Sequence, residues 1–136
     1  NRAMAGAKVF TVENCAFCGL GSEALLRSTP RALLVMDRYP VRPGHALAIP
    51  RRHVISVFDL TGDEMRELWE LVSWYRTGCD RVSAADGWNV GVNDGVAAGQ
   101  TIGHAHIHVI PRLSGDVADP RGGLRWMFPD AARYWD

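Results

Sequence analysis

The stretch Gln100-Thr101-Ile102-Gly103-His104-Ala105-His106-Ile107-His108-Val109-Ile110-Pro111-Arg112 limits what this chain can become more than any other. Three of the five histidines alternate there with small or β-branched apolar residues. Extended backbone sends successive side chains to opposite faces, so His104, His106 and His108 share one side, about 7 Å apart along a strand. Ala105, Ile107 and Val109 then turn toward a core. A half-buried strand ordinarily carries Thr, Lys or Glu on its wet face. Three imidazoles in that row are a chemical commitment.

The rest of the chain supplies the partners of such a strand. Residues 31–36, Arg-Ala-Leu-Leu-Val-Met, are apolar and short between Pro30 and Asp37, and read as a strand. Residues 45–49 read as a second, stopped by Pro50, with a turn built from Tyr39-Pro40-Val41-Arg42-Pro43-Gly44 between them. Thr61-Gly62-Asp63-Glu64 fits a capping box, and Met65, Leu68, Trp69, Val72 and Tyr75 recur behind it at helical spacing. This predicts a helix running to about Arg81 or Ala84, with its aromatic stripe in the core. Trp88–Asn93 alternates as a third strand, antiparallel to a strand over Ile102–Ile110. The order strand, strand, helix, strand, strand predicts an α+β domain, one face of its antiparallel sheet covered by the helix. The histidines fall on the other face or its rim. Residues 114–126 read as loop, and Trp126 and Trp135 as packing residues with flat faces that could also stack on a base.

Composition narrows the class. The 136 residues predict a single domain, 1–136, with a core over about 15–112 and a loop and tail over 113–136. Lys+Arg and Asp+Glu balance at 15 each, so no basic excess points to nucleic acid or an anionic membrane as partner. No apolar run approaches the roughly 20 residues of a membrane span, and no secretory pattern opens the chain. Met4 is a candidate native start. Three cysteines, two of them only three apart, do not make a disulfide framework, which points to the reduced cytoplasm.

The histidine row has two active readings. Histidines at i and i+2 can chelate a zinc ion, and three could hold a catalytic metal. Alternatively one neutral imidazole attacks an electrophile while its neighbours arrange charge around it. Gln100 and Thr101, with Gly99 and Gly103, place amide, hydroxyl and backbone N–H donors just before the row, which suits phosphoryl oxygens. A hydrolytic zinc site more usually has a carboxylate base close by, and this strand supplies none. Cys15-Ala16-Phe17-Cys18 has the spacing of half a zinc site, or of two buried small hydrophobes. Cys79 reads as inert core within the helix. His45 reads equally as a hydrogen-bonding partner near the site and as a satisfied core histidine.

His104-Ala-His106-Ile-His108-Val-Ile resembles the signature of the histidine triad (HIT) family. The resemblance extends over about residues 15–112 through Asp37, Pro43-Gly44-His45, Pro50-Arg51-Arg52-His53, Asn93-Asp94-Gly95 and Gly99-Gln100-Thr101. The Pro-Gly-His turn, the Asn-Asp-Gly loop and Pro111-Arg112 look most like the fragile-histidine-triad branch, whose members cleave dinucleoside polyphosphates. The cysteine pair instead resembles bacterial and archaeal forms. The resemblance implies a HIT-like sheet of about five antiparallel strands with one main helix, continued across a homodimer. It implies a nucleotide hydrolase or transferase acting at an α-phosphate. A nucleoside phosphoramidate hydrolase of the same family, and a metal-dependent hydrolase using the histidine cluster, are the alternatives.

It also implies roles. His106 is the nucleophile that forms a nucleotidyl-histidine, His108 serves the phosphate and leaving-group side, and His104 helps to position the site. Gln100 and Thr101 hydrogen-bond phosphate oxygens, Asn93 lies near the α-phosphate and ribose, and Asp37 accepts the ribose hydroxyls. In relatives with the cysteine pair, a structural zinc is completed by two histidines at positions matching His53 and His104. Cys15, Cys18, His53 and His104 are thus the expected ligands. Magnesium would come only with the substrate polyphosphate.

Overall fold

The computed structural model describes residues 11–136; the candidate start Met4 lies outside them. Five strands form one antiparallel sheet: β1 (Leu25–Ser28), β2 (Ala32–Met36), β3 (Ala46–Pro50), β4 (Gly87–Gly91) and β5 (Ile107–Arg112), in the order β1-β2-β3-β5-β4. The helix α1 (Gly62–Gly78) joins the β2–β3 hairpin to β4. A short helix, α2 (Pro129–Ala132), follows a 3-10 turn at Gly123–Met127. None of the described helices is long and apolar enough to cross a membrane.

The expected capping box is complete: Thr61 Oγ1 accepts from Glu64 N–H, and a Glu64 carboxylate oxygen accepts from Thr61 N–H. The apolar stripe of α1 is rotated from the one expected. Leu68, Leu71, Val72 and Tyr75 are buried under the sheet, while Trp69 is 48% exposed. Two acidic residues on the buried side explain the rotation. Glu64 takes a paired guanidinium from Arg52, and Glu67 accepts from the backbone and side chain of Arg31, so both carboxylates are buried with partners. The helix stops at Gly78, short of the expected Arg81 or Ala84. Thr77 Oγ1 donates back to Ser73 O and Gly78 is a poor helix residue, so Cys79 leaves helical geometry and Asp80–Val82 makes a 3-10 turn.

The two sheet faces carry different cores. On the helix face, Ala32, Leu34, Ala46, Ala48, Ile107 and Val109 pack against α1. On the other face Val35, Leu47 and Ile49 gather around Phe17, from the loop between the two cysteines. Burying a side chain such as Leu34 or Ile49 contributes about 1.5–3 kcal/mol each.

The strand limits also differ from expectation. β4 ends at Gly91, leaving Val92 37% exposed, and β5 begins only at Ile107. His104 and His106 therefore precede the ladder, and that stretch is tied instead by Ala105 N–H to Val54 O. β5 runs on through Pro111, which lacks an N–H. The last β3 pair is Ala46↔Val109, so Pro111 faces β4 alone and no ladder bond is lost on the β3 side. β1 has no strand signal in the sequence pattern; its four residues are mostly exposed and form one edge of the sheet, β4 forming the other.

Candidate active site and metal centre

The histidine row divides. His108 sits within the ladder, opposite Leu47 of β3 and Gly91 of β4. His104 and His106 are placed by side-chain bonds just ahead of it.

His104 is fully buried, and its Nε2 lies 2.7 Å from Pro50 O. A carbonyl only accepts, so Nε2 bears the proton and Nδ1 presents a lone pair. That lone pair faces Cys15 Sγ at 3.4 Å and Cys18 Sγ at 3.7 Å, and Cys18 Sγ lies 3.2 Å from His53 Nδ1. The four ligand atoms of Cys15, Cys18, His53 and His104 are all within 4.8 Å of one another. A tetrahedral zinc with bonds of about 2.3 Å to sulfur and 2.0–2.1 Å to nitrogen sets S and N roughly 3.6 Å apart, so the spacing suits it. The donor set is that of a closed structural site, and the Pro50 carbonyl gives His104 the outer partner that orients a metal-bound imidazole. Among the described residues His53 Nε2 is buried without a hydrogen-bond partner, which leaves Nδ1, on the Cys18 side, as the nitrogen through which that ring is held. Burial, and after it the neighbouring Cys15 sulfur, push the Cys18 thiol up to about 11.

His106 Nδ1 lies 2.7 Å from His104 O, so Nδ1 carries the proton and the Nε2 lone pair is left for chemistry. The ring is 7% exposed and rests edge-on against Phe17 and His108, at centroid distances of 5.1 and 4.9 Å. Burial holds the imidazolium form of His106 below its ordinary range, with the His104 carbonyl pulling the other way and the neighbouring His108 adding to the fall. A neutral ring with a free Nε2 is what a nitrogen nucleophile requires.

His45 has a place that the sequence left open. Val41 N–H donates to its Nδ1 at 3.1 Å, which leaves the proton on Nε2. That Nε2–H faces His108 Nδ1 at 2.9 Å and Asp37 Oδ2 at 3.3 Å. His108 Nδ1 is therefore an acceptor, and its own proton sits on Nε2 as a hydrogen-bond donor. Asp37, His45 and His108 also lie close enough to share a cation. The Val41 amide argues for a proton in that position instead, since it occupies the nitrogen that a metal-bound His45 would need to keep protonated. Burial lowers both His45 and His108, which favours the neutral rings this relay uses.

The remaining expected residues surround this row. Asp37 Oδ1 accepts from Tyr39 N–H, and its side chain is 15% exposed. Asn93 is half-buried just beyond β4, and Thr101 is exposed at the approach to the row. Gln100 is buried, and its amide is engaged: Oε1 accepts from Gly95 N–H, and Nε2 donates to Ile55 O and Ile102 O. Asp94 accepts from Ser56 Oγ and Val57 N–H, tying the loop after His53 to the loop before the row. Phe17 went unnoticed in the sequence. Its signal was a lone large apolar residue inside an otherwise small and polar cysteine loop.

The HIT domain family profile matches residues 22–115. The asymmetrical bis(5'-nucleosyl)-tetraphosphatase of Schizosaccharomyces pombe is 38% identical over 100 residues, 74% of this chain and 54% of that protein. AP-4-A phosphorylase of Mycobacterium tuberculosis H37Rv is 40% identical over 84 residues, 61% of this chain and 43% of that protein. The chain thus spans about half the length of these curated relatives. A zinc-bound histidine triad family protein from Mycobacterium smegmatis superposes with a TM-score of 0.70 at 29% identity, covering 80% of this chain and 82% of that one. The sheet order, the divided histidine row and the family match agree: the chain belongs to the HIT domain family.

Proposed function

We propose that the protein is a nucleotide hydrolase that attacks an α-phosphate through His106, with dinucleoside polyphosphates as substrates. The observation that carries this reading is the His106 tautomer: Nδ1–H is spent on the His104 carbonyl, and the buried neutral ring keeps Nε2 as a lone pair. Relatives named for bis(5'-nucleosyl)-tetraphosphatase and bis(5'-adenosyl)-triphosphatase activity support the substrate class.

In the first step Nε2 forms a bond to the α-phosphorus as the bridging P–O bond breaks and its electron pair leaves with the departing phosphate. The positive charge that develops on His106 is stabilised through Nδ1–H and the His104 carbonyl dipole. His108 Nε2–H donates to the α-phosphoryl oxygens or the departing oxygen. In the second step water attacks phosphorus, the N–P bond breaks, its pair returns to Nε2, and the water proton passes to solvent. Asp37 accepts ribose hydroxyls with the lone pairs that Tyr39 and His45 leave open. Asn93 and Thr101 contact the α-phosphate region, and Gln100 holds the loop that presents Thr101.

Cys15, Cys18, His53 and His104 hold a structural zinc, which stiffens the backbone between the cysteine loop and His106 and takes no part in bond making. Zinc thiolates need reduced cysteines, which favours the cytoplasm. The edge strand β4, which can template a second copy, and the exposed Trp69 on α1 support a homodimer.

The deciding experiment is turnover of His106→Ala across dinucleoside polyphosphates, nucleoside phosphoramidates and nucleotide sugars. Loss of turnover with nucleotide binding and folding retained is expected. Full activity of that variant excludes the mechanism.

A further inference from the structure

Residues 116–136 lie beyond the HIT family match, yet they fold back over the histidine face and build a groove there. Its volume is about 630 Å³, within the range of small-molecule sites. The floor is Asn89, Ile110 and Arg112, and the walls include Leu124, Trp126 and Met127. Ile110 is two residues along β5 from His108 and pairs with Asn89, so the groove begins one side-chain step, about 7 Å, beyond His108 on the same face.

The polar groups of the groove are set in advance. Arg112 is wholly committed: Nε and Nη2 lie on Asp116, and Nη1 donates to Asn89 Oδ1. That bond fixes Oδ1 of the Asn89 amide as the acceptor, and its Nδ2 lies toward Gly123, another lining residue. Arg42 reaches the same Asp116 through Nη1, and its Nε is buried without a partner among the described residues. Two guanidinium groups against one carboxylate leave net positive charge along one side of the groove, centred on Arg112, four residues beyond His108 on β5. The Trp126 indole is held in place by its N–H to Arg121 O at 2.8 Å, and the residue lines the groove. An aromatic face, apolar neighbours, a side-chain amide and adjoining positive charge together make a site for a nucleobase with phosphates trailing from it.

We propose that this groove is the subsite for the departing nucleoside of a dinucleoside polyphosphate. The base lies against Trp126, and Arg42 faces the bridging phosphates. This rests on the nucleotidyl-transfer reading above and deepens it. The segment outside the family match selects substrates with a nucleoside at both ends over those with a small leaving group.

The test is calorimetric binding of two non-hydrolysable ligands to the full chain: a methylene-bridged diadenosine tetraphosphate, and the matching analogue with a single adenosine. The wild type is expected to bind the two-ended ligand at least about 10-fold more tightly, as one base–aromatic stack provides. Trp126→Ala, and separately Val117→Trp filling the groove from its exposed rim, are expected to bring the two affinities to within about twofold, with Trp126→Phe retaining most of the difference. Equal affinities in the wild type, or an undiminished difference in both folded variants, overturns the subsite. Binding of neither ligand overturns it together with the nucleotide reading, and is distinguished by the absence of any heat.

Discussion

His45 donates from Nε2 to Nδ1 of His108 across 2.9 Å, and the Val41 amide behind it leaves no other tautomer for either ring. A backbone N–H in the β2–β3 turn thereby determines that His108 presents a proton, and not a lone pair, toward the candidate phosphate site. His45→Ala removes the relay without touching His106. The expected result is a kcat about 10–100-fold lower with a smaller change in KM, the usual cost of losing an outer partner. Ring ¹⁵N shifts of His108 should show its tautomer becoming mixed. An unchanged kcat with a mixed tautomer would show that the donor is dispensable.

The pH dependence follows from the same burial. His45 and His108 are lowered from their ordinary value of 6.5, first by burial, so the folded state prefers both rings neutral. Their contribution to stability is fully present above about 6.5 and is lost as pH falls through the lower folded values. The acid limb of kcat/KM is accordingly expected below pH 6.5. Glu64, held down to about 2 chiefly by Arg52, adds a second loss of stability between its ordinary 4.5 and about 2. Denaturant midpoints measured across pH should show both decreases. Stability rising on acidification through pH 6 would contradict the assignment.

The candidate zinc ligands give a separate prediction. Protein purified under reducing conditions should carry about one zinc per chain, and cobalt substitution should give the absorption of a tetrahedral thiolate site. Cys18→Ser should abolish metal retention and lower Tm by several degrees. Strong chelation is expected to reduce stability before it reduces turnover at low temperature. Immediate, fully reversible loss of turnover with no change in Tm would instead assign the metal to the chemistry.

The turn before His45 is held from two sides. Tyr75 is fully buried, and its hydroxyl donates to Gly44 O at 2.8 Å. Gly44 has φ +91°, and an added Cβ would lie 2.8 Å from Pro111 Cγ. Gly44→Ala therefore meets both a disfavoured backbone region and a clash, with an expected cost of about 1–3 kcal/mol. Tyr75→Phe leaves the carbonyl unpaired and should cost about 1–2 kcal/mol. Denaturant unfolding measures both, and both should disturb His108 through the turn.

Much of this arrangement was legible in the sequence because short-range rules govern it. The alternation around Ile107 and Val109 and the Thr61–Glu64 cap gave the sheet and the helix start, since each depends on neighbours a few residues away. Trp69 was misplaced in the core because the face of α1 is decided by Arg31 and Arg52, which arrive from other elements to neutralise Glu67 and Glu64. The division of the histidine row could be inferred from the HIT resemblance but not from spacing: His104 turns to the cysteines through bonds that span 89 and 86 residues. The position of His45 depended on one backbone amide, which no side-chain pattern reveals.

In the proposed mechanism His106 is a nucleophile and not a base for water. The most direct measurement is the stereochemical outcome at an α-phosphorus made chiral with sulfur and oxygen isotopes. Two successive in-line displacements, by Nε2 of His106 and then by water, predict net retention of configuration. Net inversion would mean that water attacks phosphorus directly, and would contradict the account.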